Sequence, residues 1–257
     1  MKAGGRTFIV SGGSSGLGLA TVEYLLQENA YAAILDLKPP EGLSGPRLKF
    51  WKIDITNNDE VAAAVDGAVA WTKETDAPLG GVVNCAGVGV AAKIIDRDGE
   101  PHSLDLWKFA LDVNLTGTFN LTRLACKHLI DVQPRDADGE RGVIIMVASS
   151  AAFEGQPGQL AYAASKGALV SMTLPMARDL GRYGIRVVTI APGAFTSAMT
   201  DKMPPKTQTS LKRDLIFPNR LGVAKEFAHT VKWIVETPYV NGETYRVNAA
   251  ARLPGRL

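Results

Sequence analysis

The chain has 257 residues, 46% of them hydrophobic and 21% charged, which suits one α/β domain with a full apolar core and no need of disulfide or metal staples. A formal net charge of +2 is too close to neutral for a nucleic-acid or membrane surface, so neither partner is expected. The two cysteines, Cys85 and Cys126, form no framework, so a reducing compartment is expected, the cytoplasm ahead of an organelle matrix.

Taken in chain order, Met1 to Gly5 leave no room for a signal or transit peptide before a strand-like run over Arg6–Ser11. A helix is predicted over Leu17–Glu28 and strands over Tyr31–Asp36 and Leu48–Asp54. Asp59–Thr75 reads as a helix and Gly81–Asn84 as a strand. Val88–Leu104 is a polar excursion, and its acidic run Asp96-Arg97-Asp98-Gly99-Glu100 reads as a solvated turn, because no full calcium-ligand set follows. Leu115–Ile130 is helical, Val143–Ser149 a strand, Gln159–Leu180 a long helix and Ile185–Ala191 a strand. Thr196–Asn219 is a polar loop with Met203-Pro204-Pro205. A helix over Ala224–Glu236 and a strand over Thr244–Val247 follow, and the closing Gly-Arg-Leu is an ordinary tail. No apolar run reaches the roughly 18 residues that a membrane span needs. Strands apolar on both faces and separated by helices predict a single doubly wound, Rossmann-like α/β domain over 1–257, with a mostly seven-stranded parallel sheet. The N-terminal half is expected to bind a dinucleotide, and residues 194–221 to form a substrate loop.

The first strand runs into Ser11-Gly12-Gly13-Ser14-Ser15-Gly16-Leu17-Gly18 and then directly into a helix. Glycines there permit positive φ and let the backbone approach a pyrophosphate at the helix N-terminus. Asp36 ends the second strand about 20 residues on, where an acid meets the ribose hydroxyls. A carboxylate there repels a 2′-phosphate, and no Arg or Lys occupies the glycine turn, so NAD is expected as cofactor. No metal is expected.

Tyr162 and Lys166 are four residues apart on the long helix, which places them on one face. A free tyrosine titrates near pH 10. A neighbouring ammonium and a nicotinamide cation would both favour the phenolate, and lowering its pKa by about 3 units needs roughly 4 kcal/mol. Ser149, closing the preceding strand, can hydrogen-bond a substrate oxygen while Tyr162 exchanges the proton.

These motifs resemble the short-chain dehydrogenase/reductase family over nearly the whole chain: Gly12, Gly16 and Gly18; Asn84-Cys85-Ala86-Gly87; Asn114, Ser149, Tyr162 and Lys166; and Pro192-Gly193. The resemblance implies that Tyr162 moves the proton, Ser149 steadies the carbonyl oxygen, and Lys166 binds the nicotinamide ribose and lowers the tyrosine pKa. It implies that Asn114 holds a helix kink and a water in the proton relay. The implied cofactor contacts are Gly12, Ser15, Gly16, Leu17, Gly18, Asp36, Asp54, Ile55, Asn84, Cys85, Ala86, Gly87, Tyr162, Lys166, Pro192, Gly193, Phe195 and Ser197. Ser11 departs mildly from the usual Thr, since both carry a hydroxyl, and Ser197 stands where a Thr often binds the carboxamide.

Other stretches resemble one branch of that family, the type-2 3-hydroxyacyl-CoA dehydrogenases, also described as type-10 17β-hydroxysteroid dehydrogenases. They are Ala152-Phe153-Glu154-Gly155-Gln156, Met172-Thr173-Leu174-Pro175 with Ala177-Arg178-Asp179-Leu180, Phe217-Pro218 with Arg220-Leu221-Gly222, and the insertion around Ile94–Ser103. Pro175 inside a helix is costly and therefore a useful fingerprint. The resemblance implies an NAD-dependent oxidoreductase interconverting a secondary alcohol and a ketone, with a 3-hydroxyacyl-CoA as favoured substrate. A hydroxysteroid or another hydrophobic secondary alcohol is the alternative. A dinucleotide-binding scaffold without turnover is the alternative of another class. A homotetramer is expected because Ala161, Ala168, Leu169 and Met172 exceed what one sheet face covers. Lys202, Lys206, Lys212, Arg213 and Arg220 would attract the phosphates of coenzyme A.

Overall fold

The computed structural model describes residues 1–134, 136–196 and 214–252. Seven parallel strands form one sheet: β1 (Thr7–Ser11), β2 (Tyr31–Asp36), β3 (Leu48–Lys52), β4 (Leu79–Asn84), β5 (Gly142–Val147), β6 (Ile185–Pro192) and β7 (Thr244–Val247). Their order is β3-β2-β1-β4-β5-β6-β7, so the chain reverses direction between β1 and β4. That reversal opens a crevice at the C-terminal strand ends, where open α/β sheets bind ligands. β1, β4, β5 and β6 are buried along their length, which explains their unbroken apolar runs.

Helices cover both faces. α1 (Gly16–Gln27) and α6 (Ala224–Glu236) pack on one side, over a core that includes Phe8, Leu25, Ile145, Phe227 and Ile234. α2 (Asn58–Glu74), α4 (Thr118–Leu129) and α5 (Leu160–Gly181) cover the other, where Ile9, Val65, Leu121, Ile144 and Leu169 are buried. α5 continues through Pro175, although a proline there removes one helical hydrogen bond.

The structure adds α3 (Leu104–Leu111), part of a region that the sequence reading leaves unassigned; Ser103 caps it by accepting from the Leu106 amide at 3.2 Å. A π-helical turn over Asp112–Gly117 joins α3 to α4. The excursion before α3 folds back on itself: Ile95 bridges Pro101, and Asp96 accepts from the amides of Asp98 and Glu100. It is a closed turn, and no cluster of metal-ligating side chains occurs among the described residues. No helix among them is long and apolar enough to cross a membrane.

Of the four residues argued to need a partner chain, Ala161 and Leu169 are already buried in this chain's own interior, and Ala168 and Met172 are half-buried. The apolar surplus lies at Phe109, Phe119 and Leu174, which stay 48%, 48% and 45% exposed.

Candidate active site

The glycine turn occupies the crevice. Gly12 has φ of 64°, and a Cβ on it would lie 2.7 Å from the Ala86 nitrogen. A Cβ on Gly18 would fall 2.1 Å from the Gly12 carbonyl oxygen. Only bare backbone fits, and that leaves room for a ligand to come close. Ser15 is the N-cap of α1, yet its side chain makes no capping bond, and the first turn carries no acid. The free amides of that turn suit an anion such as a pyrophosphate. The buried Ser14 hydroxyl also has no partner among the described residues. These features fit a dinucleotide's phosphates, with Gly12, Gly16, Leu17 and Gly18 shaping the cradle.

Asp36 ends β2 beside this turn. Its carboxylate accepts from the Ser14 amide at 3.0 Å and the Leu37 amide at 2.7 Å, and so it is fixed at the rim of the cradle. Ser11 explains why a hydroxyl is needed at the end of β1: it accepts from the Ala86 amide at 3.3 Å and ties the two strand ends together. Cys85, Ala86 and Gly87 follow β4 and border the cradle. Asn84 is buried, donating to Thr122 Oγ1 at 3.1 Å, so its side chain belongs to the interior. Asp54 and Ile55 lie just past β3. The Asp54 carboxylate serves its own turn by accepting from Thr56, and Ile55 packs under Gly117. Pro192 and Gly193 end β6, where the Gly193 amide donates to the Val247 carbonyl at 2.9 Å. The Phe195 ring is 6% exposed and meets Phe227 edge-on, and its backbone bridges Gly222. Ser197 lies outside the described residues.

Asn114 sits in the π-helical turn and is fully buried. Its carboxamide accepts from the Val88 amide at 2.8 Å, and donates to the Val88 carbonyl at 3.0 Å and to Ser165 Oγ at 3.1 Å. It therefore locks the segment after β4 to α5, and the irregular turn is the local cost of aiming it there. A Cβ on Gly87 would lie 3.0 Å from Asn114 Oδ1 and 3.3 Å from Lys166 Nζ. Ser165 and the Val88 backbone are thus site members that the motifs do not reveal.

Ser149, Tyr162 and Lys166 converge here. Lys166 Nζ donates to the Val147 carbonyl at 2.8 Å and lies 5.9 Å from the Tyr162 ring centroid. Burial lowers the lysine pKa to about 8, with nearby Cys85 opposing the shift. Burial likewise raises the Tyr162 pKa above its ordinary value, and a hydrogen bond with Ser149 pulls the other way. From the sequence, a lowered tyrosine pKa is expected once a nicotinamide cation is bound. In the protein alone desolvation dominates, so Tyr162 stands as a neutral phenol next to a readily deprotonated lysine.

Of the basic residues expected to attract phosphates, Lys202, Lys206, Lys212 and Arg213 lie outside the described residues. Arg220 is already paired, giving Glu226 two bonds at 2.7 and 2.9 Å.

A dinucleotide cradle at the switch point of a parallel sheet, with a Ser–Tyr–Lys group facing it, defines a carbonyl/alcohol oxidoreductase of the short-chain type. Comparison agrees: residues 6–208 match the short chain dehydrogenase family, and the chain belongs to it. Members of this family use nicotinamide dinucleotides. The chain is 44% identical over 255 residues to the 3-hydroxyacyl-CoA dehydrogenase type-2 of Homo sapiens, covering 97% of this chain and 96% of that protein. The Rattus norvegicus protein of the same name is 43% identical over the same shares. A crystal structure of 3-hydroxyacyl-CoA dehydrogenase type-2 from Mycobacterium avium superposes with a TM-score of 0.90 at 36% identity, covering 98% of each chain.

Proposed function

We propose that this oxidoreductase uses NAD to interconvert a 3-hydroxyacyl-CoA and the corresponding ketone. The observation that carries the reaction is the convergence of half-buried Tyr162 and Ser149 with buried Lys166 beside the glycine cradle. Asp36 supports NAD, since its carboxylate at the rim would face a 2′-phosphate with like charge. The substrate rests on the relatives' names, at more than 40% identity over nearly the whole chain. A cleft of about 610 Å³ flanks Gln159 and Ala163, which bracket Tyr162, and its walls include the exposed Ile94, Ile95 and Leu160. Such walls favour an acyl chain over a sugar.

In this reading Tyr162 moves the proton. In the direction of ketone reduction, its neutral phenol donates to the developing alkoxide, and burial keeps that proton in place until then. Ser149 hydrogen-bonds the same substrate oxygen and holds it against Tyr162. The Lys166 ammonium stabilises the phenolate left behind. Asn114 holds the backbone around Gly87 and Val88 that walls the site. The bound dinucleotide supplies the hydride donor or acceptor.

Apolar walls also suit an uncharged hydrophobic alcohol such as a steroid. Turnover with NADH and NADPH, each against acetoacetyl-CoA and a panel of uncharged ketones, separates these readings. The expected result is a higher kcat/KM for NADH with acetoacetyl-CoA. Preference for NADPH would overturn the role given to Asp36, and preference for a steroid ketone would overturn the thioester. We infer too that the chain forms a homotetramer, which would cover Phe109, Phe119 and Leu174. Light scattering showing a monomer at micromolar concentration would contradict this.

A further inference from the structure

Between Ser149 and Tyr162 the chain makes a tight excursion that packs against the first turns of α5. It begins with a 3₁₀ turn over Ser150–Ala152, closed by the Ala152 amide to the Ser149 carbonyl at 3.0 Å and by the Phe153 and Glu154 amides to the Ser150 carbonyl, both at 3.0 Å. The next residue, Gly155, packs so closely that a Cβ on it would lie 3.1 Å from the Ala163 methyl and 3.4 Å from the Ala151 carbonyl oxygen. Ala163 adjoins Tyr162. Whatever fixes residue 154 therefore fixes the spacing between the turn that carries Ser149 and the helix turn that carries Tyr162.

Glu154 is anchored from elsewhere in the molecule. Its Oε1 accepts from Nη2 of Arg246, on edge strand β7, and lies 3.2 Å from Nε of Arg252, beyond that strand. The Glu154 side chain is only 15% exposed and that of Arg246 24%, so water screens this pair less than a surface pair. The Arg246 guanidinium also lies 5.0 Å from the Phe153 ring centroid, over its face, so one arginine grips two consecutive residues of the excursion. Arg246 is in register with Ala191 on β6, next to Pro192 and Gly193. β7 thereby supports both flanks of the site.

We propose that Glu154, clamped by Arg246 and Arg252, is a positioning residue that sets the distance between the Ser149 and Tyr162 hydroxyls. This rests on the reading of Ser149 and Tyr162 as the reacting pair. Glu154, Arg246 and Arg252 are not among the residues assigned to substrate or dinucleotide, so the effect of the clamp belongs in turnover rather than in binding. Displacements of about 1 Å in such a pair can cost up to about 100-fold in rate. Glu154→Gln, which keeps the shape and removes the charge, is expected to lower kcat about tenfold. KM for acetoacetyl-CoA and Kd for NADH should stay within about twofold.

The pH profile supplies a readout that a merely structural pair would not move. Ser149 pulls the tyrosine pKa down, so loosening that contact raises it. The rising limb of alcohol oxidation, which needs Tyr162 as base, should move to higher pH in Glu154→Gln, in the direction expected for Ser149→Ala. The test takes the full-length protein as Glu154→Gln, Arg246→Gln and the double variant, using acetoacetyl-CoA and one uncharged ketone that the wild type reduces. If the clamp acts as a unit, the double variant is no slower than the worse single one. A lowered Tm with unchanged kcat and pH profile would make the pair structural only and overturn the proposal, as would multiplying losses in the double variant. A wild type inactive on every ketone would instead overturn the reading on which the proposal rests.

Discussion

At the N-terminal end of the sheet, Arg186 is 5% exposed, and its guanidinium is well occupied: it bonds Glu140 and donates to the carbonyls of Ile234, Val240 and Val235 at 2.7–3.0 Å. At the opposite end Lys166 is also 5% exposed, yet among the described residues its ammonium donates to a single acceptor, the Val147 carbonyl. At the same end of the sheet the Ser14 hydroxyl and Gln156 Nε2 are buried without partners among the described residues. A buried charge with its donors satisfied holds a fold together. One left short of partners costs stability, and a protein keeps it where a ligand or a reaction uses it.

The largest effect expected is on turnover at the C-terminal end. Tyr162→Phe removes only the titrating hydroxyl, so kcat should fall by about 10² to 10⁴, while Kd for NADH and the thermal midpoint stay near wild type. Near-normal kcat would remove Tyr162 from the chemistry. At the other end the pattern inverts. Arg186→Met leaves Glu140 buried with one cationic partner among the described residues, the Met1 ammonium, and should cost about 3–5 kcal/mol of stability. Urea denaturation reads this, and kcat at a temperature where the variant stays folded should be unchanged.

Lys166 sharpens the contrast through pH. Its pKa falls from 10.5 unfolded to about 8 folded, so the native state disfavours the ammonium. The penalty is fully present below about pH 8 and fades as pH rises toward 10.5. Lys166→Met should therefore be more stable than wild type at pH 7, by about 1–3 kcal/mol, and the gap should close by pH 10.5. A variant less stable at pH 7 would show that this end is built like the other. The smallest effect concerns the cradle's rim. Asp36→Ala should weaken NAD binding by about tenfold, on the order of 1.4 kcal/mol, and narrow the preference over NADP; parallel titrations check both.

Where local chemistry decided, the sequence was legible. Tyr31–Asp36, Ala224–Glu236 and Thr244–Val247 fall where the patterns place them. β3 ends at Lys52, two residues early, because Asp54 and Thr56 form a turn of their own. β5 stops at Val147 because Ser149 caps the following 3₁₀ turn. α3 carried a local signal, Ser103 followed by Asp105, but it was hidden behind the polar excursion. The π-helical turn had none, since its distortion answers to Asn114 bonds with Val88 and Ser165, distant in sequence. The glycine cradle, Asp36, Ser149, Tyr162 and Lys166 were readable because their spacing carries their chemistry. Glu154 with Arg246 was not, because that pairing spans 92 positions, and the direction of the tyrosine shift was not, because burial is a tertiary quantity.

The central claim, that the C-terminal end of this sheet performs dinucleotide-linked carbonyl chemistry, is tested most directly by following a label. NADH carrying deuterium at the transferable position is incubated with the protein and acetoacetyl-CoA, and the product is weighed by mass spectrometry. The expected result is one deuterium on the former carbonyl carbon of 3-hydroxybutyryl-CoA, formed by wild type and nearly lost in Tyr162→Phe. Tight NADH binding with no label transferred to acetoacetyl-CoA or to any ketone of the panel would contradict it, and would describe a dinucleotide-binding scaffold instead.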